Sequence, residues 1–294
     1  MVAGALELAR AHPAPDLEGL CRRVRQLALA AIYCAGSGHP GGSLSCVEIL
    51  AALFGIGFLR GPAGDDPDRD RFVLSKGHAC PALYALGAAT GLLAERDLAG
   101  LRRLGSPLQG HPHVGDLPWV ETSTGSLGQG FSVALGMALG VRHLGGRGRV
   151  AVLLGDGELQ EGQVWEAAQA AAHHRVGRLL AVVDFNGLQS DDHHSRVCNL
   201  EPLADRWRAF GWCVREVDGH DLGALAAAFQ LPEGTEAPPT VVLARTVKGR
   251  GVSFMEGSPP WHGSVQLADE ELRQALLELA APSEEIERWL AHDR

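Results

Sequence analysis

The stretch Val150-Ala-Val-Leu-Leu-Gly155-Asp156-Gly157-Glu158-Leu-Gln-Glu161-Gly162, continued by Leu179-Leu-Ala-Val-Val-Asp184-Phe-Asn186-Gly187-Leu188, decides how the rest of the chain is read. Its first apolar, β-branched run has the make-up of a buried parallel strand, and Val164, Trp165, Ala168 and Ala171/Ala172 follow at helical spacing. A second apolar run, Leu179 to Val183, completes a β-α-β unit. Gly155-Asp156-Gly157 stands where the first strand ends and Asn186 where the second ends. Ligands of open parallel sheets collect at such carboxyl ends.

The chemistry of the two positions is specific. Asp156 offers an anionic oxygen and Asn186 a neutral carbonyl oxygen, while the flanking glycines let backbone and ligand approach closely. A magnesium ion takes oxygen ligands at about 2.0–2.1 Å, one or two from protein and others from phosphate and water. One carboxylate, one amide and a backbone carbonyl near Leu188 leave room for two phosphate oxygens and a water. Gly-Asp-Gly alone equally describes a βα turn with a capping aspartate. Asn186 after the second strand is what makes the pair a candidate metal site.

Working outward, Asp16 can cap a helix whose apolar stripe is Leu17, Leu20, Val24, Leu27 and Ala31, and residues 1–15 read as a loose start. Gly36 to Gly42 reads as a glycine-rich loop around His39. Ser45 with Glu48 forms a capping box for a helix running through Phe54. Phe72–Leu74 is a short strand, Ala79–Thr90 and Ala94–Leu104 are helices, and residues 105–123 form a long irregular segment, usually functional in a compact domain. Phe131–Leu144, Leu203–Phe210, Leu222–Phe229, Ala268–Leu279 and Glu284–Ala291 follow as helices, with strands at Cys213–Val217 and Val241–Arg245. Alternating strands and helices without hairpin signals imply a single domain over 1–294 of three-layer α/β/α type with a mainly parallel sheet.

Composition narrows the function classes. The chain has 294 residues, 46% of them apolar, which is ample for a sizeable core. The net charge of −9 with interspersed signs argues against a nucleic-acid binder. The longest apolar stretch, Cys46 to Leu59, contains Glu48 and is too short to span a bilayer, and no signal-peptide pattern opens the chain. Six cysteines without Cys-x-x-Cys spacing read as buried, reduced thiols, hence a cytoplasmic setting.

The histidines carry the next signal. His39, His78, His111 and His262 each lie in a glycine-containing loop at the end of an element, whereas His173-His174 closes a helix and His193-His194 reads as surface. A zinc site is disfavoured because the four lack the i, i+3 or i, i+4 spacing of helical ligands. Ser123-Thr-Gly-Ser-Leu-Gly-Gln-Gly130 leads into a helix whose amino end can hold phosphate. Lys248 and Arg250, in a glycine-flanked loop, can meet a diphosphate or a substrate phosphate, or be solvated.

Gly155-Asp156-Gly157 with Asn186 resembles the magnesium-diphosphate motif of thiamine diphosphate enzymes. Ser37-Gly-His39-Pro-Gly-Gly-Ser43, Ser75-Lys-Gly-His78-Ala, Gln109-Gly-His111-Pro, Ser123–Gly130, Thr246-Val-Lys-Gly-Arg-Gly-Val-Ser-Phe254 and Trp261-His262-Gly263 make the resemblance that of transketolases, over nearly the whole chain and in family order. It is closest in extent to the separate amino-terminal subunit of split transketolases.

The resemblance implies the thiamine diphosphate-binding fold and the following roles. Asp156, Asn186 and Leu188 hold Mg2+ (or Ca2+ or Mn2+). Gly125, Ser126, Leu127, Gly155, Asp156, Gly157, Glu158, Asn186, Lys248 and His262 bind thiamine diphosphate. His39, His78, His111 and His262 are catalytic, matching the need for a base at the C3 hydroxyl of a ketose and for donors to its C2 oxygen. Glu161 and Glu166 lie at a subunit interface. The activating glutamate and the pyrimidine-binding domain are expected on a carboxy-terminal partner subunit, in an α2β2 assembly acting on sugars or sugar phosphates. Without that partner the chain is expected to be silent.

Three departures border the expected cleft: the Gly187–Arg196 segment lacks the family's Asp-Gly turn, His113 replaces a common acidic residue, and Gly257-Ser-Pro-Pro260 precedes Trp261. They leave the substrate open. Two rival readings are the α-subunit of a 2-oxo acid dehydrogenase and a non-catalytic regulatory or scaffold subunit. The Thr246–Phe254 block and Trp261-His262-Gly263 speak against the first, and the intact Asp156, Asn186 and histidines against the second.

Overall fold

The computed structural model describes residues 16–292 except 57, 60–65, 67, 191 and 233–236, so the loose start expected over 1–15 lies outside the described residues. In chain order the elements are α1 (Leu17–Ala35), α2 (Pro40–Ser45), α3 (Val47–Gly55), β1 (Arg71–Leu74), α4 (Cys80–Ala89), α5 (Gln129–His143), β2 (Val150–Gly155), α6 (Gly162–His173) and β3 (Leu179–Phe185). Then come a small hairpin of β4 (Leu188–Gln189) and β5 (Asp192–His193), α7 (His194–Val197), α8 (Leu203–Ala209), β6 (Cys213–Asp218), α9 (Leu222–Ala228), β7 (Thr240–Arg245), α10 (Asp269–Glu278) and α11 (Ser283–Leu290). The main sheet has the order β1-β2-β3-β7-β6, all parallel.

Side-chain alternation explains the three layers. Along β2, Ala151 and Leu153 face one core while Val150, Val152 and Leu154 face the other; in β3, Leu180 and Val182 oppose Leu179, Ala181 and Val183. The first core is closed by α1, α3, α4, α9 and α10, the second by α5, α6 and α8. Every residue of β2 and β3 is buried, so these strands are covered on both faces. β6 forms an edge and carries the exposed Glu216 there, which discourages pairing with another strand. No helix among the described residues is long and apolar enough to cross a membrane.

Several local expectations are corrected. The Gly36–Gly42 loop ends early, because Pro40 opens α2. Ser45 and Glu48 form no capping box: Cys46 caps α3 without a side-chain bond, Ser45 Oγ donates to Asp184 Oδ2 at 2.6 Å, and Glu48 pairs with Arg25. Tertiary partners outcompete the local motif because both side chains are buried. Ala94–Leu104 yields a 3-10 turn over Glu95–Gly100 rather than a full helix. His194 is buried, 5.5 Å centroid to centroid from Phe185, and only His193 of that pair is exposed. Cys21, Cys34, Cys46 and Cys80 are buried and Cys213 half-buried, but Cys198 is exposed; all six are free.

One buried cluster ties the elements together at the carboxyl edge of the sheet. Asp184, fully buried near the end of β3, forms an ion pair with Lys76 just past β1 and accepts bonds from Ser45 of α2 and Thr246 after β7. Lys76 Nζ also donates to Gly42 O at 2.8 Å. Burial alone would raise the Asp184 carboxyl, but the Lys76 ammonium and the two hydroxyls hold it below the usual carboxylate range. Conversely Lys76, which burial alone would lower, is raised by Asp184.

Removing one partner strands a buried charge, so Asp184→Ala is expected to cost about 3–5 kcal/mol in a urea titration. The double variant Lys76→Met/Asp184→Leu should recover part of that loss. A cost for Asp184→Ala of less than about 1 kcal/mol would mean that the pair behaves as an exposed one.

Candidate active site

Where β2 and β3 end, a cavity of about 240 Å³ opens toward the loops that follow β1 and β7. Its lining brings together His39, His78, His111 and His262 with Gly125, Leu127, Gly155, Asp156, Gly157, Glu158, Asn186, Leu188 and Lys248. Residues far apart in sequence thus share one cleft because parallel strands deliver all their exit loops to the same edge. Ser126 is the exception: it is exposed and does not line the cavity.

The oxygen-rich end is built from Asp156, Asn186 and Leu188. Asp156 is buried, and its oxygens accept from Gly157 N at 2.8 Å and Gly187 N at 2.6 Å. Among the described residues no salt bridge reaches it. Burial, and then the charge of Asp184, push its carboxyl up to about 6. Such a group is short of positive charge. Asn186 Oδ1 accepts from Leu188 N at 3.1 Å, and its Nδ2 donates to Asp184 Oδ2 at 3.3 Å, which orients the amide. The Leu188 carbonyl accepts from Lys248 Nζ at 3.0 Å. A carboxylate, an amide oxygen and a backbone carbonyl are the donor types that a hard divalent cation takes, so these residues fit one.

The other end is histidine-rich. His39 lies 5.2 Å from His78, 6.0 Å from His262 and 6.5 Å from His111, and His78 lies 5.5 Å from His262, ring centroid to centroid. Gly263 makes this packing possible, since a Cβ there would come within 2.4 Å of the His39 ring. The rings meet at tilted or edge-on angles, and no group of three or more His, Cys, Asp or Glu side chains among the described residues is placed to hold a metal.

Burial, and then nearby cations, keep the imidazoles neutral. His39 is lowered to about 4, with Arg102 adding to the burial effect. His262 is lowered to about 3, with Lys248 adding. His78 falls well below its ordinary value and His111 is lowered. Lys248, itself brought down to about 8 by burial and the charge of Lys76, sits 2.6 Å from His262 Nδ1. Neutral imidazoles at pH 7 can accept a proton from a hydroxyl or donate an N–H bond.

Glu158 has a different place from its neighbours. Its carboxylate accepts from Ser75 Oγ, Gly128 N at 2.9 Å and Gly155 N at 3.0 Å, bracing the exit of β1, the start of α5 and the end of β2. The Gly128 amide at the start of α5 is therefore committed to Glu158 and not free for a phosphate. Glu161 and Glu166 are exposed near the start of α6, beside the Gln163–Gln129–Ser132 contacts that join α6 to α5. Arg250 points away from the cleft toward Glu256 at 3.4 Å.

Sequence reasoning passed over Lys76, Gln189, Ser190 and Arg102. Lys76, Gln189 and Ser190 line the cavity, and Arg102 Nη1 donates to Ser37 Oγ at 2.7 Å with Nη2 3.4 Å from His39 Nδ1. Lys76 and Asp184 did leave a signal, each being a charge at the end of an apolar strand. Of the three departures, only the segment after Asn186 borders the cavity. His113 is exposed and pairs with Asp116 at 3.3 Å, and Pro259 and Pro260 belong to a 3-10 turn outside the lining.

The depressed histidines set a pH dependence. The unfolded chain protonates them near their ordinary value of about 6.5, while in the folded chain His39 resists until about 4 and His262 until about 3, with His78 and His111 lowered as well. Their stabilising contribution is therefore complete above pH ~6.5 and is lost as pH falls toward 4. The thermal midpoint should drop between pH 7 and pH 4.5, less steeply in His78→Gln; identical slopes would contradict the assignment of this drop to the cluster.

Comparison with known proteins agrees with this geometry. Residues 18–285 match the family model described as transketolase, thiamine diphosphate binding domain. The chain is 42% identical over 267 residues to the 6-deoxy-6-sulfo-D-fructose transketolase subunit SqwG of Clostridium sp. (strain MSTE9), covering 90% of this chain and 96% of that one. It is 37% identical to an apulose-4-phosphate transketolase subunit from Phocaeicola vulgatus, covering 92% and 96%. Human transketolase is 42% identical over 250 residues, but there the chain spans 39% of the relative's length. Transketolase from Pichia stipitis superposes with a TM-score of 0.82 at 31% identity, covering 95% of this chain and 44% of that one. The chain belongs to the transketolase family and carries its thiamine diphosphate-binding domain, in the format of the separate subunits of split transketolases.

Proposed function

We propose that this chain, as a single-domain amino-terminal subunit, works with a carboxy-terminal transketolase subunit to move a two-carbon ketol unit from a ketose, or ketose phosphate, to an aldose or aldose phosphate. The observation that carries the reading is the oxygen set of Asp156, Asn186 and Leu188 opening into the same cleft as four neutral histidines. The two split-subunit relatives, matched over almost their whole length, support it.

In this reading Asp156, Asn186 and the Leu188 carbonyl hold a divalent cation, magnesium by donor type, and Lys248 faces the diphosphate. Bound thiamine diphosphate supplies the electron sink for carbon–carbon cleavage. The chain's own residues manage protons. A neutral imidazole of the His39, His78, His111 and His262 group takes the proton from the donor's C3 hydroxyl as the C2–C3 bond breaks and the aldose leaves. The reverse transfer delivers a proton to the oxygen of the acceptor's carbonyl as the new bond forms. The remaining ring N–H groups hold the C2 oxygen. Glu158 acts as a brace for the loops that line the cofactor.

The match to separate transketolase subunits over 96% of their own length supports a partner that completes the site, and the exposed Glu161 and Glu166 are suited to a subunit interface in an α2β2 assembly. Alone, the chain is expected to show no turnover. The free thiols support a reducing, cytosolic setting.

Calorimetry of the two-chain assembly should show thiamine diphosphate uptake that requires Mg2+ and disappears in Asp156→Ala. Uptake independent of a divalent ion would falsify the assignment of Asp156. His39→Ala should bind the cofactor yet lose about 10²–10⁴-fold in kcat in a ketose–aldose assay, the range of a lost acid–base group. A cofactor-loaded assembly inactive across a panel of ketoses and aldoses would point instead to a scaffold role.

A further inference from the structure

Outside the cleft, a half-buried histidine links two core helices to the loop that carries Lys248. The turn after β6 packs on the end of β7: Gly219 N donates to Arg245 O at 2.7 Å, and a Cβ on Gly219 would come within 2.4 Å of Thr246 Cγ2. The next residue, His220, is thereby held beside the 246–251 loop. Its Nε2 accepts from Val247 N at 2.8 Å and its Nδ1 lies 2.9 Å from Glu48 Oε2. Because a backbone amide can only donate, Nε2 is the bare nitrogen and the ring proton sits on Nδ1, directed at Glu48.

Glu48 is itself fixed. Arg25 of α1 grips both its oxygens at 2.7 Å, and although burial alone would raise the carboxyl, the bonds from His220 and Arg25 hold it at about 2. The side chains of His220 and Glu48 are 12% and 10% exposed, so neither bond is readily replaced by water. Neither residue lines the cofactor cleft; both border a separate cavity. Past Val247 the chain runs straight into Lys248, whose ammonium meets Leu188 O and His262.

We propose that His220, oriented by Glu48, is a positioning residue: by anchoring the Val247 amide it sets the backbone from which Lys248 reaches into the cleft. This rests on the reading of the cleft as the cofactor site. A hydrogen-bonded carboxylate that fixes an imidazole tautomer is a common way of holding the groups around a cofactor or metal, and loss of such a support typically costs about 10–100-fold in affinity.

Two variants separate anchoring from mere packing. In His220→Gln the side-chain Oε1 can still accept from Val247, whereas His220→Phe fills the space with no acceptor. Hydrogen–deuterium exchange of the chain without cofactor should show the 246–251 amides exchanging at least about tenfold faster in His220→Phe, with β7 still protected and with His220→Gln close to the parent chain. In the two-chain assembly the Kd for thiamine diphosphate with Mg2+ should rise about tenfold in His220→Phe, with kcat at saturating cofactor little changed and His220→Gln largely restored. Unchanged exchange in His220→Phe, or equal losses in both variants, overturns the anchor. A parent assembly that takes up no cofactor overturns the reading of the cleft instead, a failure that the exchange measurement tells apart.

Discussion

The buried Lys76–Asp184 pair is the constraint on which the rest of this structure depends. It joins the exits of β1 and β3, and through Ser45 and Thr246 it also holds α2 and the loop after β7. These are the segments that bear His78, Asn186, His39 and Lys248. A charge pair in the interior is weak evidence of net stability, because desolvation opposes the attraction. Its value here is geometric: both ions are taken out of water, and separating the segments that carry them would leave a buried charge without its partner.

From that arrangement the electrostatics of the cleft follow. Lys76 and Lys248 place positive charge between the oxygen-rich end and the histidines, and each depresses the imidazoles around it. Asp156, buried and near Asp184, is pushed the opposite way. The cleft is thus divided into an end that needs a cation and an end whose imidazoles are kept neutral. That division suits a metal-bridged diphosphate at one side and proton exchange with hydroxyl groups at the other.

Much of this was legible in the linear chain. The apolar runs of β2 and β3 are long, uninterrupted and flanked by glycines, so their identity as buried parallel strands is a local property. Asp156 and Asn186 fall immediately past those runs, and position after a parallel strand fixes which edge of the sheet a residue occupies. The four histidines lie in loops that the same rule sends to that edge. Other features misled for a definite reason. Ser45 and Glu48 have the spacing of a capping box, yet both are buried, and Asp184 and Arg25 offer them stronger partners than a helix end. His194 looks like one of two surface histidines until the hairpin turns it against Phe185. Ser126 shares a motif with Gly125 and Leu127 but is exposed beside the cavity rather than lining it.

The sequence by itself determined the alternation of strands and helices, the layer architecture and the residues delivered to the carboxyl edge, because periodicity and strand-end position are encoded within a few neighbouring residues. Only the tertiary structure decided which polar groups are paired and in what charge state. Lys76 with Asp184, Glu158 with Ser75 and Gly128, and Glu48 with His220 are contacts across tens to more than a hundred residues. Their strength depends on burial and distance, and neither exists until the sheet and its two helical layers have closed around them.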